Sequence, residues 1–462
     1  MHAKSVFAAV FLSALAVAAS AGNADGVATA HDHADTRHSV RAVPHKRREE
    51  RVAALQKRAD ALFTRDEPKL RFAYGQEKVR GVSVGGWLVI ESFIVPSFYE
   101  NTGDNRVIDE WSYGKHVDHD QAQRAYREHI DNFITEDDFA EIASYNLNHV
   151  RVPFPYWGIK TYNGDPYVKA NQYDKLKEAA TWAKKHGLSM IIELHTVPGG
   201  ANPYDHGGHT DHSNWLGNED DYGRTLEILE TLASEFSKSK YSAVTGISLV
   251  NEPNGDPNEI YDFYKRGYRA VRNPDGGETN LMVIAGDAFK NPATDNFWNG
   301  KFPHGKYQNV MMDTHVYRLF DPTSIAMHQD ERIGYYCGLK GGFRNANQNL
   351  YSLVGEWSPA FTDCAPELNG RFKGARYDGS FPGSTRRGSC KNRSGNANTF
   401  SNDFKKNLKK NFEAQADAYE GGVGWIMWTW KVAHHNADEW SYKAGVKNGW
   451  IPRDPTNRDF SC

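Results

Sequence analysis

Two glutamates stand in settings that bond-breaking chemistry would use: Glu252 in Asn251-Glu252-Pro253 and Glu356 in Gly355-Glu356-Trp357. A pair of carboxyl groups can divide the cleavage of a glycosidic bond between them. One protonates the departing oxygen, and the other attacks the anomeric carbon or activates water. In that scheme Asn251 can hydrogen-bond a sugar 2-hydroxyl. Glu252 acts as acid/base and needs a raised pKa at neutral pH. Glu356 acts as nucleophile, kept ionised by donors such as Tyr317 and Arg151. Either glutamate alone could be a satisfied buried ion pair. Both together, each closing an apolar run, favour the chemical reading.

Such residues need elements that bring them to one place. From about Val79 onward, β-rich runs recur at 79–88, 149–154, 189–195, 246–252, 281–286, 310–317, 352–357 and 422–430. Polar or aromatic residues close most of them: Glu193 and His195, Asn251 and Glu252, His315 and Tyr317, Glu356, and Trp428. Helix signals fill many of the intervals. Thr135 with Asp138 three residues on reads as a capping box. Residues 173–187 form an amphipathic stretch that Gly187 stops, and 225–236 form another. Eight strands alternating with helices predict an α/β fold, a (β/α)8 TIM barrel, in which strand C-termini assemble the site. Periodicity alone also admits a doubly wound sheet. The Gly, Ser and Asn-rich stretch 379–402 reads as a surface loop. It holds a glycosylation sequon at Asn392.

Other features have plainer readings. His206, His209 and His212 are spaced like metal ligands on a helix, but Gly207 and Gly208 argue for a loop and no carboxylate completes a site. The Gly-Gly-Trp at 85–87 lacks the Lys-Ser/Thr of a phosphate loop and reads as tight packing. Glu193 reads as a partner of His195 or a polar group of the barrel interior. Trp87, Trp157 and Trp425 read as core. Glu136, Asp137 and Asp138 suit a helix N-terminus.

The 462 residues carry a formal net charge of −3, with 24% charged and 39% hydrophobic residues, enough for one sizeable core. Near-neutrality argues against a nucleic-acid or anionic-membrane partner. The aromatic share is high at 13%, which suits a groove for ring-shaped ligands. The apolar run from Val6 to Ala19, followed by small residues, predicts a signal peptide over 1–21. Residues 22–66, with dibasic pairs at Lys46-Arg47 and Lys57-Arg58, read as a pro-segment or disordered linker. Residues 67–462 then form the catalytic domain. No stretch suits a membrane span. Four cysteines, Cys337, Cys364, Cys390 and Cys462, fit two disulfides in an oxidising compartment, with three possible connectivities.

The segments RGVSVGGWLVIES, NHVRVPFPYW, LVNEPNG, VGEWSPAFTDC, GARYDG and GWIMWTWK together resemble the fungal-type exo-β-1,3-glucanases of glycoside hydrolase family 5. The resemblance runs from about Val79 to Cys462. It implies a retaining double displacement, with Glu252 as acid/base after strand four and Glu356 as nucleophile after strand seven. It implies substrate contacts at Glu91, Arg151, His195, Asn251, His315 and Tyr317, a platform under the sugar at Trp428, and an entrance pair at Tyr204 and Phe320. It implies disulfides Cys337–Cys462 and Cys364–Cys390. The implied protein is a secreted monomer acting on β-glucan, without cofactor or metal. Two segments depart from the family's pattern: Val432-Ala433 after Lys431, and the loop after His195. Both border the sugar subsites and bear on linkage preference. A β-1,6-glucanase or a glucan transglycosylase would use the same scaffold. A non-catalytic glucan-binding barrel is the alternative outside the class, and it has no need of both carboxylates.

Overall fold

A computed structural model describes residues 69–462. The leader and linker expected over 1–66 lie outside the described residues. Eight strands form a closed, all-parallel barrel in sequence order. They are β1 (Val79–Ser83), β2 (His149–Pro155), β3 (Ser189–Thr196), β4 (Val244–Ser248), β5 (Met282–Gly286), β6 (Val310–Val316), β7 (Tyr351–Trp357) and β8 (Gly424–Met427). Closure comes from β1 pairing with β8, Val79 opposite Gly424. The fold is the α/β barrel that the alternation predicts. Strands such as β2 are buried at every residue, as expected of a parallel sheet covered on both faces.

Most connections carry helices. Glu136–Ser144 begins where predicted: the Thr135 N–H donates to Asp138 Oδ2 at 3.0 Å. Gln172–Lys185 ends before Gly187, whose φ is 72°, the left-handed stop that glycine adopts freely. Glu219–Phe236 extends the predicted 225–236 helix by six residues toward its N-terminus, because Asn218 caps it further upstream. The β5–β6 connection has no α-helix among the described residues. An aromatic cluster occupies that place instead: Trp298 packs on Phe302, Phe297 and Tyr264.

The barrel interior is filled by Val79, Ile191, Met282, Ile284, Met311, Leu353 and Ile426, with Tyr74 at the N-terminal end, where its hydroxyl meets His149 and Thr245. Period-two alternation carries that inward face along each strand. Ile191 is followed on the same face by Glu193 and His195, and Met311 by Asp313. Apolar residues therefore plug the lower barrel, while polar ones collect at the C-terminal end.

The structure pairs Cys337 with Cys462 and Cys364 with Cys390, the pairing that the resemblance implies. Trp87, Trp157 and Trp425 are fully buried core residues. Asn392 is exposed on the loop after Cys390.

Candidate active site

Glu356, the penultimate residue of β7, stands opposite His315 of β6. That register exists because the β6–β7 ladder slips between Thr314 and His315, so that Gly355 has no partner. Such bulges re-aim side chains beside active sites. Gly355 is required there for a second reason: a Cβ would lie 2.0 Å from Asp313 Oδ1. The slip and the missing side chain bring His315 alongside Glu356.

Two donors hold Glu356. Arg151 Nη1 donates to Oε1 at 2.7 Å, and the Tyr317 hydroxyl donates to Oε2 at 3.0 Å. Arg151 is buried on β2 and also donates through Nη2 to Asn251 Oδ1 at 3.1 Å. Glu193 Oε1 lies 3.6 Å from the same guanidinium. Burial opposes the Arg151 charge, but Glu193 and Glu356 outweigh it and raise its pKa. Burial likewise opposes ionised Glu193, and Arg151 with His195 overcomes that to lower it. Glu193 Oε2 is 2.8 Å from His195 Nδ1, so Glu193 partners His195. Two buried nitrogens aimed into this region, Asn251 Nδ2 and His195 Nε2, have no partner in the protein.

Glu252 sits four residues past β4, in a loop where its φ is 42°. Non-glycine residues held at positive φ cost of order 1–3 kcal/mol and cluster at functional sites. Its Oε1 lies 2.7 Å from His315 Nδ1, and its Oε2 lies 3.4 Å from His206 Nε2. The raised pKa expected of Glu252 is not found in the free site. Burial pushes the carboxyl up, but the hydrogen bond and charge of His315 prevail and hold it at about 2. His315 is driven well above its ordinary value: burial opposes its charge, and Glu356, Asp313 and Glu252 outweigh burial. Both shifts favour the ion pair, Glu252 as carboxylate and His315 as its charged partner.

Donor atoms of Glu252, His315 and Glu356 lie within 4.8 Å of one another. The donor types would suit a metal ion. However, a guanidinium 2.7 Å from Glu356 already supplies the positive charge that a cation would bring.

The remaining predicted residues line the same cleft, of about 560 Å³. Glu91 is buried, with Oε1 unpartnered. Burial first, and then the surrounding carboxylates, raise its pKa well above the ordinary value. Tyr204 and Phe320 stand at the rim, 43% and 38% exposed. Trp428 differs from the exposed platform expected of it, being only 3% exposed. It forms a floor wedged against Gly85, where a Cβ would lie 2.6 Å from its ring. The Gly-Gly-Trp segment thus makes room for Trp428.

The three spaced histidines do not converge. His206 turns to Glu252, while His209 stacks on Trp111 with centroids 4.3 Å apart and also on His212. Sequence reasoning missed His206 as a site residue. It also missed Phe289, which is 54% exposed on the cleft after β5, and Lys373 and Arg376, which line the cleft from the loop closed by Cys364–Cys390. A large apolar residue just past a strand end was the available signal for Phe289. No spacing marks the others.

The cellulase profile of glycosyl hydrolase family 5 matches residues 112–364. The chain belongs to glycosyl hydrolase family 5. Among relatives of this family 5 glycoside hydrolase, a glucan 1,3-beta-glucosidase of Blumeria graminis is 38% identical over 403 residues, 85% of this chain and 91% of that one. A glucan 1,3-beta-glucosidase of Pichia angusta is 36% identical over 407 residues, 86% of this chain and 91% of that one. The crystal structure of rutinosidase from Aspergillus niger shares the fold, with TM-score 0.62 and 21% identity over 82% of this chain and 99% of that one. Among the described residues, no helix is long and apolar enough to cross a membrane.

Proposed function

We propose that this family 5 hydrolase is a secreted, exo-acting β-1,3-glucan glucosidase that works by double displacement, with Glu356 as nucleophile and Glu252 as acid/base. One observation carries the mechanism. One oxygen of each carboxyl lies within 4.8 Å of the other, which suits the roughly 5–5.5 Å group separation of retaining enzymes better than the roughly 6.5–9.5 Å that inverting ones need for a water. The glucan 1,3-beta-glucosidases that resemble this chain along most of its length support the substrate class.

Glu356 Oε attacks the anomeric carbon while Arg151 and Tyr317 fix its two oxygens. The glycosidic C–O bond breaks, and Glu252 gives its proton to the departing oxygen. In the second half, Glu252 takes a proton from water, which attacks the same carbon and frees Glu356. The first half needs the proton on Glu252. A sugar that fills the cleft expels water, which favours a neutral Glu252–His315 pair over the ion pair and moves the proton across 2.7 Å. The Asn251 amide and His195 Nε2, unpartnered in the protein, meet sugar hydroxyls. Trp428 lies beneath the ring, and Tyr204 and Phe320 stack on the sugar at the entrance. The paired cysteines suit an oxidising, extracellular setting, where exposed Asn392 would carry an N-glycan. Residues 1–21 act as the leader, and 22–66 precede the catalytic domain.

The experiment is product analysis on laminarin with the wild type and Glu356→Gln. The wild type should release glucose as its first product, and the variant should lose at least roughly 10³-fold in kcat while still binding oligosaccharide. Undiminished hydrolysis by the variant would remove Glu356 from its role. Oligomers as first products would mean endo cleavage, and preference for pustulan would mean β-1,6 specificity.

A further inference from the structure

The Glu252 carboxylate is contacted at both oxygens by histidines, and only one of these lies on a strand. His315 at the end of β6 takes Oε1 at 2.7 Å. His206 comes from the long β3–β4 connection and brings Nε2 to 3.4 Å from Oε2. Its other ring nitrogen, Nδ1, is buried without a partner. A neutral imidazole carries one N–H. Facing an ionised carboxylate, that proton belongs on Nε2, which leaves Nδ1 as the bare nitrogen, the one without a partner.

The loop holding His206 is fastened to the loop holding Glu252. The Asn254 N–H donates to the Ala201 carbonyl at 2.9 Å, and Asn202 Nδ2 donates to the Asn251 carbonyl at 3.4 Å. On its far side, the Thr210 N–H donates to Asp109 Oδ2 at 2.7 Å, and the Trp111 N–H donates to the Gly208 carbonyl at 2.9 Å. His206 is the middle residue of a short turn, Asp205–Gly207, and packs between His195 and Tyr204 with ring centroids 5.4 and 5.3 Å away. It is 22% exposed at the side chain, so the cleft reaches it.

From this geometry we infer that His206 is a positioning residue for Glu252, donating through Nε2 to the oxygen that His315 leaves free and so stabilising the carboxylate form. The inference rests on Glu252 being the acid/base. Charged and titratable groups face Glu252 from several elements: His315 from β6, Glu356 from β7, His195 from β3 and Glu91 from the β1–β2 connection. Tyr204 and Tyr317 face it as well. Around His206 the groups are Glu252, His195, Tyr204 and Asp205. Among these, His206 is the group that touches Glu252 Oε2.

The alkaline limb of kcat/KM reports loss of the proton that Glu252 and His315 hold between them. Without the His206 donor the carboxylate is less stabilised, so the proton is kept to higher pH. His206→Phe should move that limb upward by roughly half a unit to one unit. His206→Gln, which restores an N–H donor of similar reach, should return it toward the wild-type position. A limb position does not depend on how much of the variant is folded, so poor folding does not mask the result. An unmoved limb in His206→Phe overturns the inference. So does an equal shift in both variants, or a rise in KM with the limb in place, which would make His206 a sugar contact. Glu252→Gln separates the two levels. If it keeps both activity and the alkaline limb, the acid/base assignment itself falls. If it loses them while His206→Phe changes nothing, only the inference about His206 falls.

Discussion

At the scale of single residues, the site is a chain of buried charges in which each group determines its neighbour's state. Arg151 lies between Glu356, Glu193 and Asn251, so removing it would leave carboxylates buried without compensation. Tyr317 is a cleaner probe, because its hydroxyl is one donor on an otherwise intact Glu356. A hydrogen bond to a charged group is worth about 1.5–3 kcal/mol. Tyr317→Phe should therefore lower kcat/KM on laminarin by roughly 10–100-fold, with little change in thermal midpoint. A steady-state assay beside a melting curve checks both halves. The two glutamates were legible in the sequence, since each closes an apolar run inside a motif. The proton's location was not. It depends on His315 lying 63 positions from Glu252 in the chain and 2.7 Å away in space, and one glutamate's motif carries no record of that.

At the scale of elements, the eight strands and their alternation with helices were readable from eight apolar runs, which pointed to a barrel while leaving a doubly wound sheet open. The strand ends were not readable. The predicted runs extend to Leu88 and Glu252, whereas β1 stops at Ser83 and β4 at Ser248. Beyond those ends, residues 84–88 and 249–251 remain buried, and most of them are as apolar as strand. Composition cannot separate a buried loop from a buried strand. The slip at His315 is invisible for a related reason. It is a property of two strands paired, and its sequence trace is a single glycine, Gly355. The β5–β6 connection shows the opposite failure of expectation, since aromatic packing around Trp298 stands where a helix would be. The His206 loop shows how an irregular element can still be rigid: its backbone and side chains bond to the segments on both sides of it.

At the scale of the whole molecule, buried titratable groups set the pH range of stability. Burial raises Glu110 and Glu439 from 4.5 to about 8. The unfolded chain releases those protons first, so stability falls as pH rises from 4.5 toward 8. Burial lowers His129 and His149 from 6.5 to about 4 and about 3. The unfolded chain binds those protons first, so stability falls as pH drops below 6.5 toward 4 and 3. The two pairs offset each other between 4.5 and 6.5. The thermal midpoint should therefore be broadest and highest in that window and decline on both sides. Glu110→Gln should flatten the alkaline decline, as calorimetry from pH 3 to 9 would show. A maximum above pH 8 would contradict this account.

The same closed barrel brings one oxygen of Glu252 within 4.8 Å of one of Glu356, and the proposed double displacement rests on that closeness. Proton NMR of the first glucose released from laminarin tests that dependence most directly. Double displacement through Glu356 predicts the β-anomer first, with the α-anomer growing in only by later mutarotation. If the α-anomer comes first, displacement occurs in a single inverting step, and Glu356 is not the nucleophile.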